Sequence, residues 1–160
     1  MFTIKRILQP NSINEDYNTL MYKKGNVILE GCAFLRLSSK NIVAAIDLSK
    51  LELEKIKDQV DYIEVGAYVT FGDLETHPLL IRNFNGIISK AVENIIEIQF
   101  RNIVTVGASV FSKYSFSDFL TALLSLNTEI ELYKAGRTSL KKFLERSYEK
   151  DILSKIYKEK

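Results

Sequence analysis

The stretch "FRNIVTVGASVFSKYSFSD", residues 100–118, decides how the chain is read. Its apolar, β-branched start leads into Gly107, Ala108 and Ser109, and Ser112, Ser115, Ser117 and Asp118 follow. β-Branched residues favour strands, so residues 103–110 are expected to form a strand that ends in a small-residue turn. A plain core strand has no need of such an ending. Small residues let bare backbone N–H groups come close to a ligand.

Working outward, "FSDFLTALLSL" (116–126) predicts a helix, and "TEIELYKAGRTSL" (128–140) a strand that leaves through a glycine turn. "SLKKFLE" (139–145) is a helical turn, and "DILSKIYK" (151–158) is a last strand. On the other side, "GIISKAVENIIEI" (86–98) is strongly amphipathic, with Ile87, Ile88, Ala91, Val92, Ile95 and Ile96 on one stripe. "TFGDLETHPLLI" (70–81) is a short helix capped by Thr70 with Asp73 at the third position. Period-two alternation around Asp61 (53–69) predicts an antiparallel hairpin with one wet face.

Nearer the amino end, Ser12 with Glu15 forms a capping box, and Ile13, Tyr17, Leu20 and Met21 share a helical face. Lys23 and Lys24 suit the negative end of that helix, and Gly25 stops it. "NVILEG" (26–31) and "NIVAAIDLSKL" (41–51) then read as buried strands. The expected organisation is an α/β lobe over residues 1–52 and an α+β lobe with a mainly antiparallel sheet over 53–160.

Composition excludes more than it selects. With 22 basic and 20 acidic side chains the net charge is +2, so no charge-driven partner such as nucleic acid is indicated. Cys32 is the only cysteine, which rules out intrachain disulfides and cysteine-based zinc sites. The amino-terminal stretch lacks a signal-peptide core and no apolar run is long enough for a bilayer, so a cytoplasmic protein without membrane contact is expected. His77, directly before Pro78, reads as an exposed turn residue, and Glu52, Glu54 and Asp58 as charges on solvated faces. Nucleotide-binding and hydrolase motifs of the usual kinds are absent.

Two segments remain that carry chemistry: "EGCAFL" (30–35) and the opening stretch. Successive N–H groups in tight turns and at helix starts favour phosphate oxygens. Hydroxyls at Ser112, Ser115 and Ser117 add donors, and Asp118 can accept from a sugar or ribityl hydroxyl. Facing each other from separate lobes, two such loops would clamp a pyrophosphate. The plainer reading stands beside this one: Gly31 and Gly107 as turn glycines, and the serines as helix caps.

The order of these pieces resembles the FAD-binding domain of the molybdenum hydroxylases, the medium flavoprotein subunit of the xanthine dehydrogenase and carbon monoxide dehydrogenase type. "ILEGCAFL", "AAIDLSKLELEKI", "IEVGAYVTFGDLE", "QFRNIVTVGASVFSKYSFSDFLTALLSLNTEIEL" and "SLKKFL" follow the family's order over almost the whole chain. The resemblance implies one α+β FAD-binding domain, a two-lobed fold of the vanillyl-alcohol-oxidase/PCMH type, without the family's C-terminal domain. It places Leu29, Glu30, Gly31, Cys32, Ala33, Phe34 and Leu35 on the first cofactor loop. Thr105, Gly107, Ala108, Ser109 and Ser112 match the second, followed by Ser117 and by Asp118 as acceptor for the flavin chain.

The implied function is an FAD-dependent electron-transfer component of an oxidoreductase complex. It passes electrons from the [2Fe–2S] clusters of a small subunit, fed by a molybdenum-cofactor large subunit, to an external acceptor. It is not a self-sufficient catalyst. The family's second glycine in the first loop is Cys32 here and its Thr-Asp is Ala33-Phe34, while Ala108 and Ser109 replace a glycine and an asparagine. Those departures favour the alternative of a cofactor-free assembly module that retains the fold.

Overall fold

The computed structural model describes residues 2–29, 35, 38–95, 97–147 and 150–160. Short parallel strands build the first part: β1 (Thr3–Ile4) pairs with β4 (Asn41–Ile42), and β2 (Ile7–Leu8), β5 (Ala44–Ile46) and β3 (Asn26–Ile28) form a sheet in the order β2-β5-β3. Helix α1 (Ile13–Tyr22) connects β2 to β3. Ser12 caps it, accepting from the Glu15 N–H at 3.3 Å. The Glu15 carboxylate reaches back one residue further than a capping box requires, to the Asn11 N–H.

The buried face of α1 differs from the expected stripe: Met21 is exposed, and Asp16 is buried beside Leu20. Gly25 does not cap the helix, which ends at Tyr22. Its missing side chain instead admits Val43, whose Cγ2 would lie 2.8 Å from a Cβ there. The carbonyls at the carboxyl end of α1 are met from far along the chain, by Lys150 Nζ on Leu20 O (3.0 Å) and Lys23 O (3.1 Å).

A five-stranded antiparallel sheet follows, comprising β6 (Ile56–Asp58), β7 (Tyr62–Gly66), β8 (Glu129–Leu132), β9 (Gly136–Ser139) and β10 (Leu153–Glu159) in the order β6-β7-β10-β8-β9. The 53–69 hairpin forms as β6 and β7. The last strand in sequence sits at the centre of the sheet, where its pairing closes contacts across nearly a hundred residues. Against one face pack α2 (Phe71–Thr76), α3 (Pro78–Arg82), α4 (Ile87–Glu93), α5 (Ile98–Arg101), α6 (Val106–Ser112), α7 (Asp118–Ser125) and α8 (Leu140–Glu145), around a core that includes Phe71, Leu74, Leu80, Phe119, Leu123, Ile130 and Phe143.

Three expectations are corrected. Thr105 caps a helix, so residues 106–112 are not strand; the β-branched run before them pairs only through one bridge, Thr105 with Thr70. The 70–81 helix breaks at His77, which is half-buried rather than an exposed turn residue. Its Nδ1 accepts from the Leu79 N–H and starts α3 with Pro78 in the first turn. The 86–98 helix stops at Glu93, with Ile88 and Val92 in the core and Ile96 outside the described residues.

Two glycines permit close approaches of different kinds. A Cβ on Gly66 would lie 1.9 Å from the backbone oxygen of Leu53, whereas one on Gly72 would meet the Asn102 Oδ1, the tip of a side chain, at 2.2 Å. Gly66→Ala is expected to lower stability by about 3 kcal/mol or more, and Gly72→Ala by under about 1 kcal/mol because Asn102 can rotate away. Denaturant melts of the two variants check this order.

The Asp16 carboxyl is fully buried with neither oxygen hydrogen-bonded. Burial first, then repulsion from Glu15 and Asp47, raises its pKa from the ordinary 3.8 to about 6. The folded state therefore holds this proton more tightly than the unfolded chain. Stability from this group is full below about pH 4 and declines as pH rises toward 6. Asp16→Asn should match the parent at pH 4 and exceed it by on the order of 2 kcal/mol at pH 7. Melts across that window provide the measurement.

Candidate functional site

An open cleft of about 460 Å3 lies between β3 and α6. β3 is an edge strand, so its free side looks onto the cleft. Leu20, Lys24, Asn26, Val27 and Ile28 form one wall; Ala108, Phe111 and Ser112 form the other, with Leu35, Lys40, Lys150, Asp151 and Leu153 completing it. The structure thus brings Leu35 of the first loop together with Ala108 and Ser112 of the second. Residues 30–34 lie outside the described residues.

The entry to the first loop is fixed by Tyr68, from the turn after β7. Its hydroxyl donates to Leu29 O at 2.6 Å and accepts from the Leu48 N–H at 3.0 Å. The Leu29 N–H is bonded to Ile46 O at 2.7 Å. One phenol thereby holds the ends of two parallel strands against the antiparallel half of the molecule.

The second loop is the amino end of α6, and there the bare-backbone expectation fails. The Val106 N–H goes to Val69 O (2.9 Å) and that of Gly107 to Ala67 O (2.8 Å). The Ala108 N–H goes to Thr105 Oγ1 (3.3 Å) and that of Ser109 to Thr105 O (3.1 Å). All four donors are spent within the protein. Ala108 is helical, so its methyl carries no left-handed strain. Ser109 is buried, and Ser112 donates to Ala108 O at 2.6 Å from the cleft wall.

Ser117 and Asp118 do not join this cleft. Ser117 caps α7 by accepting from the Leu120 N–H. Exposed Asp118 lines a separate hollow of about 420 Å3 with Lys90, Asn94, Thr121 and Ser125. Between them and α6, Tyr114 and Phe116 stack at 5.2 Å between centroids, with Phe116 80% exposed.

Sequence reasoning missed the polar lining of the cleft. Lys24 and Lys40 face it from the turns before β3 and β4. Asn26 is 2% exposed; its Nδ2 donates to Thr19 O, and its Oδ1 has no partner. Nothing in local pattern marks these residues, because they converge only when α1 and β10 dock. The Asp151 carboxylate is occupied by the N–H groups of Lys134, Ala135 and Ile152. Among the described residues no three His, Cys, Asp or Glu side chains group to hold a metal, and no helix is long and apolar enough to cross a membrane.

Comparison with known proteins defines the class. Residues 2–157 match the family model for the FAD binding domain in molybdopterin dehydrogenase. The fold superposes on a chain of quinoline 2-oxidoreductase from Pseudomonas putida 86 with a TM-score of 0.84 at 21% identity, covering 99% of this chain and 59% of that one. A chain of carbon monoxide dehydrogenase from Hydrogenophaga pseudoflava gives 0.83 at 18% identity, covering 96% and 58%. In sequence, the nicotinate dehydrogenase FAD-subunit of Eubacterium barkeri is 33% identical over 88 residues, 54% of this chain and 29% of that protein. The chain belongs to the FAD-binding domain family of the molybdopterin dehydrogenases, and FAD is its cofactor. It spans less than two thirds of the length of these relatives.

The cleft fits such a group in one specific respect: the buried, unpartnered Asn26 Oδ1 on its wall is an acceptor suited to a ribose hydroxyl. Tyr68→Phe should leave Leu29 O and the Leu48 N–H without this partner and lower stability by about 1–2 kcal/mol. Equilibrium denaturation checks the loss.

Proposed function

We propose that the chain is the FAD-carrying part of a molybdenum hydroxylase complex, with the cofactor held in the cleft between β3 and α6. The observation that carries this reading is the convergence of Leu35 with Ala108 and Ser112, one residue of the first family-matched loop and two of the second, on one cleft. We read the parallel strands and the antiparallel sheet as the two lobes, residues 1–52 and 53–160, of a vanillyl-alcohol-oxidase/PCMH-type domain. The electrons come from a [2Fe–2S] small subunit supplied by a molybdenum-cofactor large subunit, leave to an external acceptor, and the assembly works in the cytoplasm.

Bound FAD supplies hydride and single-electron chemistry. The protein's part is placement. Tyr68 anchors the Leu29 carbonyl at the cleft's end, and Asn26, which lines the cleft and whose buried Oδ1 has no partner, would be the residue to meet a ribose hydroxyl. The Ala108 methyl and the Phe111 ring give a close apolar wall, with Phe111 braced on Phe143 at 5.6 Å. Among the described residues Asp118 has no ion pair or hydrogen bond; since it lines a hollow apart from the cleft, its carboxylate would meet a ribityl hydroxyl only if the flavin chain leaves the cleft past Ser112.

The test is a visible absorption spectrum of the purified protein before and after incubation with excess FAD and desalting. Flavin bands should persist, with FAD and not FMN released on denaturation. Asp118→Ala should retain several-fold less flavin with an unchanged far-ultraviolet circular dichroism spectrum. Unchanged retention would remove Asp118 from the site. A protein that stays colourless with FAD would overturn the cleft reading and favour a cofactor-free assembly module.

A further inference from the structure

We propose that Lys150 is a positioning residue for the cofactor: its ammonium group holds the carboxyl end of α1, and with it the α1–β3 wall, against the antiparallel half, and so sets the opening of the cleft. This rests on the reading of that cleft as the FAD site.

The carboxyl end of α1 needs outside partners. Its last turn holds no basic residue, and Lys23 after it is already extended. The last carbonyls of a helix have no partner within it and carry partial negative charge. Asn26 meets part of this demand from the start of β3, with its Nδ2 on Thr19 O at 2.7 Å and its backbone N–H on Lys23 O at 3.0 Å. Lys150 brings the positive charge from the other half of the molecule, 3.0 Å from Leu20 O and 3.1 Å from Lys23 O. Hydrogen bonds from a charged donor are the stronger kind.

The backbone that carries this lysine is itself held. The next residue, Asp151, is buried and accepts from the N–H groups of Lys134 and Ala135 at 3.1 Å and of Ile152 at 2.8 Å. The same 133–135 turn secures the other half of α1. There the Tyr133 hydroxyl donates to Asn14 Oδ1 at 3.0 Å, and the Tyr133 ring lies 5.3 Å from that of Tyr17. Neither Asn14 nor Tyr17 lines the cleft, whereas Leu20, Lys24 and Asn26 do. Lys150 therefore acts on the half of α1 whose place matters to a ligand.

A cofactor that touches both walls binds the arrangement in which both are in place. Where that arrangement is populated only in part, the apparent affinity falls by the same fraction. Lys150→Met keeps the apolar stem and removes the ammonium. Calorimetric titration of the whole chain with FAD should show binding weakened about 5–20-fold. Without FAD, amide hydrogen exchange should quicken at residues 18–28 while the five-stranded sheet keeps the parent's protection. Lys150→Arg, which can still donate to both carbonyls, should restore both readouts. Far-ultraviolet circular dichroism checks folding, and if the methionine variant does not fold, Lys150→Gln is read in the same two assays.

A variant without the charge that binds FAD like the parent overturns the positioning role and leaves the FAD site standing. Weaker binding with exchange raised throughout the chain, and no rescue by arginine, makes Lys150 a general contributor to stability and also overturns the proposal. A parent that binds no FAD overturns the reading of the cleft, and the positioning role falls with it.

Discussion

Residues 66–71 must satisfy hydrogen bonds in four directions at once, and the rest of the molecule is arranged around that demand. The Gly66 and Tyr68 N–H groups bond to Lys55 O and Leu53 O, and the Ala67 N–H to Ser154 O. Ala67 O and Val69 O receive the first two N–H groups of α6, and the Phe71 N–H reaches Val104 O. The Tyr68 hydroxyl ties in Leu29 and Leu48. Ala67, Val69 and Phe71 are buried, so each backbone group left unpaired would cost the protein directly. The segment is thus a junction between the parallel sheet, the antiparallel sheet and the helix that walls the cleft.

Buried charge reinforces the same region. Arg101 is nearly buried and reaches Glu75 through two hydrogen bonds of 2.7 and 3.2 Å, with a third to Ile95 O at 3.3 Å. This fork fixes α5 against α2 and delivers residues 104–107 to the junction. On the far side of α6, Lys113 Nζ donates to Phe143 O and Arg146 O and lies 4.1 Å from the Phe143 ring centre, which sets the helix's carboxyl end. With both ends pinned, α6 acts as a rigid wall. Lys24 and Lys40 line the cleft as exposed residues.

Periodicity made much of the architecture legible. The capped helix after Thr70, the 53–69 hairpin and the helix after Ser117 follow from cap residues and alternation, because those signals are local. The 103–110 reading failed for a physical reason. β-Branched residues report a preference for extended backbone, and Val104 and Thr105 do pair with the extended backbone that enters α2 at Thr70, but only until Thr105 caps the next turn. Asp16 misled in the opposite way, since a carboxylate on a helix predicts an outward face and this one is buried. Of the cleft, Leu35, Ala108 and Ser112 lie in segments the sequence had singled out. Lys24, Lys40, Asn26 and Tyr68 were not singled out, because their places beside the cleft arise from contacts distant in sequence.

The substitutions in the second loop follow from the same geometry. A glycine is indispensable where a positive φ is required, and position 108 requires none in this structure, being a helical residue on the cleft wall. Residues 66–71 take the first two N–H groups of the helix and Thr105 the next two, so the bare backbone at this turn is already paired within the protein. The tight junction that holds the fold together therefore also determines which chemistry is left for the cleft.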